Sequence, residues 1–594
     1  MANLSQEKRQ RMLSFLNQLK AKNRDDDETL MAINEIENAL NEKKYGLVWE
    51  QHEEAVDVKM RTHIPVFTED RDKEITAAPG EPYNFLLEGD NLHSLKLLEK
   101  THRGKIDVIY IDPPYNTMKD GFTYSDQTVD GNDMFRHSKW ISFMHRRLIV
   151  TKRLMSDKGI IFISVDENEY AQLKLLCDEI FTESCFVENI VWNKRVPKND
   201  KGIGNIHEYI LTYTSNPTYK YKLMSPKEGI TKIKNLILEE KSKGSSLAET
   251  EKKLKALYKK ENYPRAITLY NNLDNNYHVF GKINMSWPNG NTFGPRYEVK
   301  HPITGNPVKV PDRGWRWSKA TFDKVVDYEN PQILPDGSMI CGKIWFSSKD
   351  EIQPSSINYL DKVDRMLLRS IISLKSDGGM MLESLFNKKS AFAYPKPVTL
   401  IKMLIDACTY NDKDRNLTIL DFFAGSGTTA QAVLELNQED GGHRQFILCT
   451  NNENHICEDV TYPRVKTVIT GMRQDDSDSQ YSDGIPANLK YYHTDFVSKD
   501  EEFLSDALLS HIAEMIQLEH GVKLDGKQYI MVLSDEDADR LAKNWQDYPD
   551  VKALYISSDV LLTAEQENLF QHVAMYIIPD HYFDFELREV GESW

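Results

Sequence analysis

Four consecutive residues, Asp112-Pro113-Pro114-Tyr115, carry groups suited to methylating an exocyclic amine of a planar base. Such an amine is a poor nucleophile because its lone pair is delocalised into the ring. The Asp112 carboxylate and the Pro113 carbonyl could each accept one of its N–H bonds, which favours a tetrahedral, nucleophilic nitrogen. Tyr115 could stack on the base, which is worth about 1–3 kcal/mol per base. From these four residues alone, an ordinary Asp-Pro turn at the end of a strand is the alternative.

The glycine-rich segment from Asp421 to Thr428 is the second candidate for chemistry. Gly425 and Gly427 would let the backbone approach a ligand closely, and the helix that follows would present unpaired N–H groups to an anion such as a carboxylate. The segment matches neither the GxGxxG spacing of dinucleotide sites nor the GxxxxGK[ST] pattern of phosphate loops, so NAD and ATP are disfavoured. On its own, this motif is weak evidence.

Asp90 is a third candidate, because it follows a predicted strand and a tight turn at Gly89 and precedes a helix predicted from Leu92. An acid at this place commonly accepts hydrogen bonds from a nucleotide ribose or an adenine amine. An aspartate that merely caps the helix is the alternative.

Each of these candidates lies just beyond a predicted strand of a parallel sheet. The run from Lys105 to Ile111 is apolar and β-branched and stops at two prolines, which is typical of a buried strand. Ligands in open α/β sheets bind beyond the carboxyl ends of such strands. Strands and helices alternate over residues 84–214 and again from residue 394, so the sequence predicts an α/β sheet with an insertion.

The composition indicates a large globular chain. Its 594 residues suffice for about three or four domains, with 28% charged and 40% hydrophobic residues. The net charge of −17 counts mildly against nucleic acid as a partner, although an acidic chain can still carry one basic cleft. The six cysteines form no CxxC pair, so neither a disulfide framework nor a metal site is predicted.

The sequence also bears on localisation. No apolar run approaches the roughly 18 residues of a membrane span. Residues 1–44 are polar and lack the apolar core of a signal peptide. We therefore expect a cytoplasmic protein without a membrane partner.

Residues 216–385 interrupt the alternation of strands and helices. Lysines and heptad-like leucines over 217–265 predict a helical hairpin, and residues 266–380 are rich in aromatic and turn residues. Basic residues interleaved with aromatics fit a surface that reads nucleic acid. We predict DNA contacts at three arginines that lie among turn residues, namely Arg296, Arg313 and Arg316. The alternative is a small aromatic core over which these side chains lie.

The composition changes again beyond residue 480. After an acidic stretch with serines, residues 498–594 are predicted to form a small acidic α/β module without a lysine cluster. We expect this module to serve as a scaffold or in oligomerisation rather than in catalysis.

The order of the motifs resembles that of the amino-group DNA methyltransferases of the permuted β class. In that class the catalytic motif comes first, a target recognition domain follows, and the S-adenosylmethionine motif comes last. Shorter segments are similar to the modification subunit of Type III restriction-modification systems, namely Lys44–Glu50, His207–Ile210, His301–Gly305 and Gly314–Ser318.

The resemblance implies a fold and a division into domains. The fold would be a permuted Rossmann-like, S-adenosylmethionine-dependent methyltransferase sheet, seven-stranded and mostly parallel. It would carry a large inserted target recognition domain and a small C-terminal α/β domain. The predicted parts are an N-terminal helical region (1–80), a catalytic half (81–215), the target recognition domain (216–385), a cofactor-binding half (386–480) and the C-terminal α/β domain (481–594).

The resemblance also implies roles for single residues. Asp112 and the Pro113 carbonyl would hold the target amine, Tyr115 would stack on the extruded base, and Pro114 belongs to the same catalytic tetrapeptide (residues 112–115). Asp90 would face the cofactor adenine, and Lys396 and Pro397 would close over the cofactor. Its methionine end would contact Asp421, Phe423, Ala424, Gly425, Ser426, Gly427 and Thr428.

Two positions depart from the family pattern. Phe422 stands where the family often has proline, which is expected to be tolerated. No carboxylate ends the strand before Thr450, where a ribose contact is often found, and Glu453 is a loose substitute.

The implied function is methyl transfer from S-adenosylmethionine to adenine N6 of a base flipped out of double-stranded DNA. Adenine is favoured over cytosine N4, because cytosine enzymes of this type more often begin the tetrapeptide with serine. The chain would be a homodimeric modification and recognition subunit of a Type III restriction-modification system. A separate ATP-dependent restriction subunit would cleave DNA, since the sequence has no GxxxxGK[ST] loop.

Three alternatives stay open at this stage. The chain could be a DNA-recognition subunit for a motor nuclease, whether or not it also methylates. It could be a stand-alone cytosine N4 DNA methyltransferase. It could also methylate RNA or a protein glutamine, although the motif of such enzymes more often starts with asparagine.

Overall fold

The structure is a computed structural model that describes most of the chain. The described residues are 4–22, 26–41, 49–117, 123–124, 127–128, 135–194, 206–220, 223–227, 229–388, 392–409, 416–473, 475, 477, 479–481, 483–578 and 582–590. The loop predicted at 116–133 and the Lys44–Glu50 segment fall largely outside these residues.

The N-terminal part and the catalytic half alternate helices with strands. Their elements are α1 (Leu4–Lys22), α2 (Asp27–Asn41), α3 (Ala55–Thr62), β1 (His63–Glu69), β2 (Ile75–Thr76), β3 (Tyr83–Glu88), α4 (Asn91–His102), β4 (Ile106–Ile111), β5 (Thr123–Tyr124), β6 (Gln127–Thr128), α5 (Arg136–Leu154), β7 (Met155–Val165), α6 (Tyr170–Phe181), β8 (Phe186–Asn193) and β9 (His207–Thr214). The apolar side chains of β4 are buried, as predicted, and the two prolines that follow lack the N–H groups needed to continue the strand.

The inserted residues form helices first and short strands afterwards. Their elements are β10 (Met224–Pro226), α7 (Ile230–Ser242), α8 (Leu247–Glu261), α9 (Arg265–Thr268), β11 (Tyr270–Leu273), β12 (Val279–Asn284), α10 (Lys319–Val325), β13 (Gln332–Ile333), β14 (Met339–Cys341), β15 (Ile344–Phe346), β16 (Ser355–Tyr359), β17 (Arg365–Leu367), β18 (Ile371–Ser373) and α11 (Gly378–Phe386). The predicted helical hairpin is present as α7 and α8. The strands β11 to β16 form a six-stranded sheet around a small aromatic core, and β10 does not belong to this sheet.

The remaining elements complete the cofactor-binding half and the C-terminal part. They are α12 (Val398–Thr409), β19 (Thr418–Asp421), α13 (Thr428–Asp440), β20 (Gln445–Thr450), α14 (Tyr462–Thr470), β21 (Asn488–Ser498), α15 (Leu504–Leu509), α16 (Ile512–His520), β22 (Tyr529–Val532), α17 (Asp535–Lys543), β23 (Ala553–Ser557), α18 (Ala564–Phe570), β24 (Ala574–Ile578) and α19 (Asp584–Val590).

One mixed sheet joins the two halves of the chain. Its strand order is β1-β21-β3-β20-β19-β4-β7-β9-β8-β18, and β2 also pairs with β21. The central strands from β21 to β7 are parallel, whereas β9 is antiparallel to both β7 and β8. Because β19 and β20 insert between β3 and β4, the two halves build a single sheet despite the insertion between them. Helices pack on both faces of this sheet, and the predicted permuted α/β fold is confirmed. The sheet has eleven strands among the described residues rather than the seven expected.

The first predicted domain boundary is wrong, because β1 and β2 belong to the main sheet rather than to a helical region ending at residue 80. The prolines of this region predict a break in regular structure. Pro65 nevertheless lies inside β1, where it faces Phe496 of β21. β1 is an edge strand, and the edge of a sheet tolerates a residue that lacks an N–H group.

The boundary predicted at residue 481 is also wrong. β21 lies between β1 and β3 in the main sheet, and α15 and α16 add apolar side chains to the core of that sheet. The strands β22, β23 and β24 form a separate parallel sheet, so a small α/β module is present but begins later than predicted.

The insertion leaves and rejoins the main body through a narrow neck. β10 pairs with β17 there, and β18 then adds to the main sheet beside β8. Arg365 in β17 forms a two-pronged ion pair with Asp406 of α12, with N–O distances of 2.6 and 2.9 Å. β18 therefore belongs to the main sheet, and α11 packs on that sheet through Leu382 and Leu385, which corrects the boundary predicted near residue 385.

Candidate active site

Neighbouring parallel strands end at one edge of the main sheet and bring the sequence candidates together. Asp112 directly follows β4, Asp421 is the last residue of β19, and Asp90 lies two residues after β3. The connection from β19 runs to β20 on one side, whereas the connection from β4 runs to β7 on the other. A ligand crevice in an open α/β sheet lies at such a reversal of strand order.

The tetrapeptide of residues 112–115, predicted to be catalytic, is held by hydrogen bonds at both ends. The Tyr115 hydroxyl donates to Asp112 Oδ1 at 2.7 Å. The indole Nε1 of Trp140 in α5 donates to the Pro114 carbonyl at 2.7 Å. Asn116 ends the turn with a left-handed φ of 52°, which asparagine tolerates better than most residues. The tetrapeptide is therefore a fixed turn, and Trp140 is a support that sequence reasoning missed.

Lys396 contacts the catalytic tetrapeptide. Its Nζ donates to Asp112 Oδ2 at 2.7 Å and to the Tyr115 hydroxyl at 2.8 Å. The structure thus places this side chain on Asp112, which the predicted role of closing over the cofactor did not include. The Lys396 carbonyl accepts a hydrogen bond from the Thr428 hydroxyl at 3.4 Å, so the backbone of Lys396 does reach the glycine-rich segment.

Glu208 completes a group of four side chains that we call the Asp112 cluster, namely the half-buried Asp112 and Tyr115 and the buried Glu208 and Lys396. Glu208 lies at the start of β9, which reaches this edge of the sheet because it runs antiparallel to β7. Its Oε2 lies 3.4 Å from Lys396 Nζ and 3.3 Å from the Tyr115 hydroxyl. Its Oε1 forms an ion pair with Lys194, which follows β8.

The charges in the Asp112 cluster stabilise one another. Burial opposes the charge on Lys396, but the Asp112 and Glu208 carboxylates outweigh it and raise the pKa of Lys396. Burial likewise favours the neutral acid at Glu208, but Lys396 and Lys194 outweigh it and lower its pKa. Burial, together with the nearby Asp112 and Glu208 carboxylates, raises the pKa of Tyr115 well above its usual value. At neutral pH the cluster therefore combines an ammonium, ionised Glu208 and a neutral phenol that donates.

A second group of side chains, in which Asn116 and Glu169 are buried, supports the same turn. Glu169 accepts a hydrogen bond from Asn116 Nδ2, and its Oε1 lies 2.7 Å from His137 Nδ1. Burial raises the pKa of Glu169 to about 8, so its carboxyl group is mostly protonated at neutral pH. Sequence reasoning missed this group, since its members lie in different elements and carry no local motif.

The glycine-rich segment forms a tight loop between β19 and α13. Asp421 is buried, and its two carboxyl oxygens accept from the Phe423 N–H at 3.0 Å and from the Thr429 hydroxyl at 2.5 Å. Burial raises the pKa of Asp421 to about 7, although both hydrogen bonds oppose the shift. Gly425 and Gly427 adopt left-handed φ values of +48° and +75°, which explains why glycine occupies both positions.

Arg464 of α14 is hydrogen-bonded to this loop. Its guanidinium is fully buried and donates from Nη1 to the Ser426 hydroxyl at 3.0 Å and to the Thr428 hydroxyl at 2.8 Å. Burial lowers the pKa of Arg464 to about 10, so it stays charged at neutral pH. The side chains of Ser426 and Thr428, which were predicted to contact a cofactor, are thus engaged by an arginine that sequence reasoning missed.

The other predicted cofactor residues surround the same crevice. Asp90 caps α4 through the Leu92 N–H and forms an ion pair with Arg147, and its side chain is 35% exposed. Phe423 packs against Phe143 with ring centroids 5.8 Å apart. Ala424 and Pro397 are buried beside the loop. Contact of Asp90 with a cofactor adenine stays a prediction, and the capping role is present in the structure.

The three predicted DNA-contacting arginines are exposed on the inserted domain. Backbone hydrogen bonds bring their segments together, with Gly294 N–H donating to the Arg313 carbonyl and Arg316 N–H to the Met285 carbonyl. Beneath them, Trp315 is buried and stacks on Tyr297 at 5.7 Å. The small aromatic core that the alternative interpretation predicted is therefore present, and Arg296 is exposed on the same domain.

The described residues also bear on metal binding and on membrane association. Within the described parts of the chain, no cluster of three or more His, Cys, Asp and Glu side chains could hold a metal ion. None of the helices described is long and apolar enough to cross a membrane.

Several known proteins are similar in sequence to this chain. The family model described as DNA methylase matches residues 106–461, which is more than half of the chain. The Type III restriction-modification enzyme EcoP15I Mod subunit of Escherichia coli is 32% identical over 71% of this chain and 66% of its own length. The StyLTI Mod subunit of Salmonella typhimurium, also a Type III enzyme, is 32% identical over 65% of this chain and 55% of its own.

The matches to these relatives span 55% to 66% of their lengths. Among solved structures, the PvuII DNA methyltransferase, which is cytosine-N4-specific, aligns with 65% of this chain and 89% of its own. That alignment has 10% sequence identity and a TM-score of 0.31, which is too low to add to the family match.

Proposed function

Because the chain belongs to the DNA methylase family whose model it matches over residues 106–461, we propose that it is a DNA methyltransferase specific for adenine N6, with S-adenosylmethionine as the methyl donor. One observation carries the proposal. The Asp112 tetrapeptide and the glycine-rich loop, which lie in different halves of the chain, end neighbouring parallel strands and are bridged by Lys396.

The glycine-rich loop fits the methionine end of such a cofactor, which carries an ammonium and a carboxylate. The Asp421 carboxyl at the base of the loop suits the ammonium. The N-terminus of α13 and the charged Arg464 beneath the loop suit the carboxylate. In addition, Nη2 of Arg464 is buried without a hydrogen-bond partner among the described residues. Bound there, S-adenosylmethionine supplies an electrophilic methyl group.

The catalytic tetrapeptide prepares the nucleophile. Asp112 accepts one N–H bond of the target amine and the Pro113 carbonyl accepts the other, which returns lone-pair density to the nitrogen. Tyr115 stacks on the base and fixes its plane. Once the nitrogen is methylated it must lose a proton, and Asp112 is the carboxylate placed to hold it.

Access to an amine inside duplex DNA requires base flipping. Extruding a base costs a few kcal/mol, which contacts with the rest of the duplex must offset. In our proposal the inserted domain supplies these contacts and reads the site through Arg296, Arg313 and Arg316. The proposed substrate is therefore double-stranded DNA. The proposed location of the protein is the cytoplasm.

The similarity to Mod subunits supports a place in a restriction-modification system. We propose that the chain is the modification and recognition subunit of a Type III system, acts as a homodimer, and binds a separate ATP-dependent restriction subunit. Light scattering of the purified chain tests the dimer, and co-purification with a Type III restriction subunit from the same organism tests the partner. A monomer at micromolar concentration would contradict the proposed homodimer.

The methylation assay uses purified chain, plasmid DNA and S-adenosylmethionine, and single-molecule sequencing identifies the modified base and its sequence context. We expect N6-methyladenine in one short motif. Asp112→Asn keeps the shape of the side chain but should lower the transfer rate by a factor on the order of 10² or more. Cofactor and DNA affinity should stay nearly unchanged.

The matched control is Asp157→Asn, an exposed aspartate in β7. It should leave the transfer rate unchanged. Near-normal turnover of folded Asp112→Asn, or modification of cytosine N4 instead of adenine N6, would contradict the proposal.

A further inference from the structure

Both carboxyl oxygens of Asp112 already accept strong hydrogen bonds from the chain itself. Tyr115 occupies Oδ1 at 2.7 Å and Lys396 occupies Oδ2 at 2.7 Å. The target amine must approach one of these oxygens and compete with the donors already there for its lone pairs. Each donor that the amine displaces from Asp112 needs another acceptor.

Displacing either donor without a new acceptor would be costly. Lys396 is 9% exposed, and an ammonium at this depth is unfavourable unless a carboxylate faces it. Displacing Tyr115 would likewise leave its own hydroxyl without an acceptor. The structure offers one further carboxylate to both donors, because Glu208 Oε2 lies 3.4 Å from Lys396 Nζ and 3.3 Å from the Tyr115 hydroxyl.

The contacts to Glu208 are longer than those to Asp112 by more than half an ångström, so both can shorten. Glu208 is itself buried, lies on a strand of the main sheet, and is fixed on its other side by Lys194. It is thus a fixed acceptor beside the two donors that hold Asp112.

We propose that Glu208 is a positioning residue that receives Lys396 and Tyr115 when the target amine takes their place on Asp112. This inference rests on the proposed function. Glu208 touches neither base nor cofactor in this scheme, and it acts by keeping the displaced ammonium and hydroxyl paired. The raised pKa of Lys396 agrees with an ammonium that stays charged throughout.

The main test is Glu208→Gln, which keeps the size of the side chain and removes its charge. We expect the single-turnover rate of methyl transfer to fall about tenfold or more, as for loss of a hydrogen bond between charged groups. Affinities for S-adenosylmethionine and for DNA carrying the target site, measured by calorimetry and anisotropy, should change less than about twofold, as for a residue without ligand contact. Glu188→Gln, an exposed residue of the adjacent β8, is the matched control and should leave all three quantities unchanged.

A double-mutant cycle separates this role from a structural one. In the Lys396→Met background no ammonium has to be received, so Glu208→Gln should lower the rate by a smaller factor there than in the wild-type background. Equal factors in both backgrounds would overturn the inference. So would an unchanged rate in Glu208→Gln, or a loss of cofactor affinity that accounts for the whole effect.

Two further arms keep the result interpretable. Glu208→Asp keeps the charge with a shorter reach, and it should retain more activity than Glu208→Gln, whether or not the latter folds well. A lower rate in Glu208→Asp than in a folded Glu208→Gln would contradict the scheme. Failure of the wild-type chain to methylate any plasmid would instead contradict the proposed function.

Discussion

The two ends of helix α13 allow a quantitative test of the glycine-rich loop. Gly427 is the N-cap of α13 with φ +75°, and Gly441 is its C-cap with φ +68°. A left-handed conformation costs an L-residue other than glycine about 1–2 kcal/mol. Alanine at either position should therefore lower the free energy of unfolding by that amount through backbone strain alone.

The surroundings of the two glycines differ. A Cβ at Gly427 would lie 3.3 Å from Thr461 Cγ2 and 3.4 Å from the Thr461 carbonyl oxygen, whereas a Cβ at Gly441 would meet nothing within 4 Å. Overpacking of this kind costs about 1–3 kcal/mol. We thus expect Gly441→Ala to lose about 1–2 kcal/mol and Gly427→Ala about 2–5 kcal/mol of unfolding free energy. The effect of alanine on the unfolded chain is common to both variants and cancels in the difference.

Crowding at Thr461 should also reach the cofactor site, because the Thr461 hydroxyl donates to the Gly425 carbonyl. We expect Gly427→Ala to weaken S-adenosylmethionine binding by about tenfold, roughly 1.4 kcal/mol, and Gly441→Ala to leave it unchanged. Urea denaturation gives the stabilities and titration calorimetry gives the affinities. Equal destabilisation of the two variants would refute the crowding argument. An unchanged affinity in folded Gly427→Ala would remove the loop from the cofactor site.

Two further predictions concern the charged groups. Burial raises the pKa of Asp421 to about 7, above its value in an unfolded chain, so the native state keeps this proton longer and loses stability as pH rises from about 4 to about 7. Asp421→Asn should flatten this decline in urea denaturation measured across that range, and a parallel pH profile would contradict the shift. Alanine at an arginine that reads guanine should cost about 1–3 kcal/mol and relax the methylated motif at one position, whereas loss of a phosphate contact should weaken all sequences alike. Methylome sequencing and salt-dependent binding distinguish these outcomes at Arg296, Arg313 and Arg316, and lower thermal stability without any change in DNA binding would contradict both.

The main elements of the site could be predicted because their signals are local. The apolar run before Asp112 and the run before Asp421 each identify a buried strand, and residues after such strands meet at one edge of a parallel sheet. The order in which the strands pair follows from long-range contacts, which residue patterns do not show.

The residues that complete the site could not be predicted in the same way. Lys396 and Asp112 are 284 positions apart in the chain, and nothing near Lys396 indicates which carboxylate it meets. Arg464 and Glu208 belong to residue types that are usually exposed, so burial is not the default expectation for either. One weak signal existed, since Glu208 is a charged residue at the start of a strand whose next six residues are mostly apolar or aromatic.

The domain boundaries failed for a different physical reason. A proline inside a predicted strand normally argues against that strand, yet an edge position removes the penalty, and only the assembled sheet shows that β1 is an edge. The acidic stretch before β21 is typical of a linker between domains. β21 nevertheless pairs with β3 in the main sheet, because six consecutive residue pairs match in register.

The neck of the insertion shows how a permuted chain keeps one working site. The ion pair of Arg365 with Asp406 fixes the neck to α12, and α12 begins two residues after Lys396. The element that anchors the insertion is thus the same helix whose preceding residues carry Lys396 to Asp112 and to the glycine-rich loop. Strand pairing in the main sheet does not depend on which half comes first in the chain. A long insertion between the halves is therefore compatible with the site, provided that its return path ends at α12 and restores this bridge.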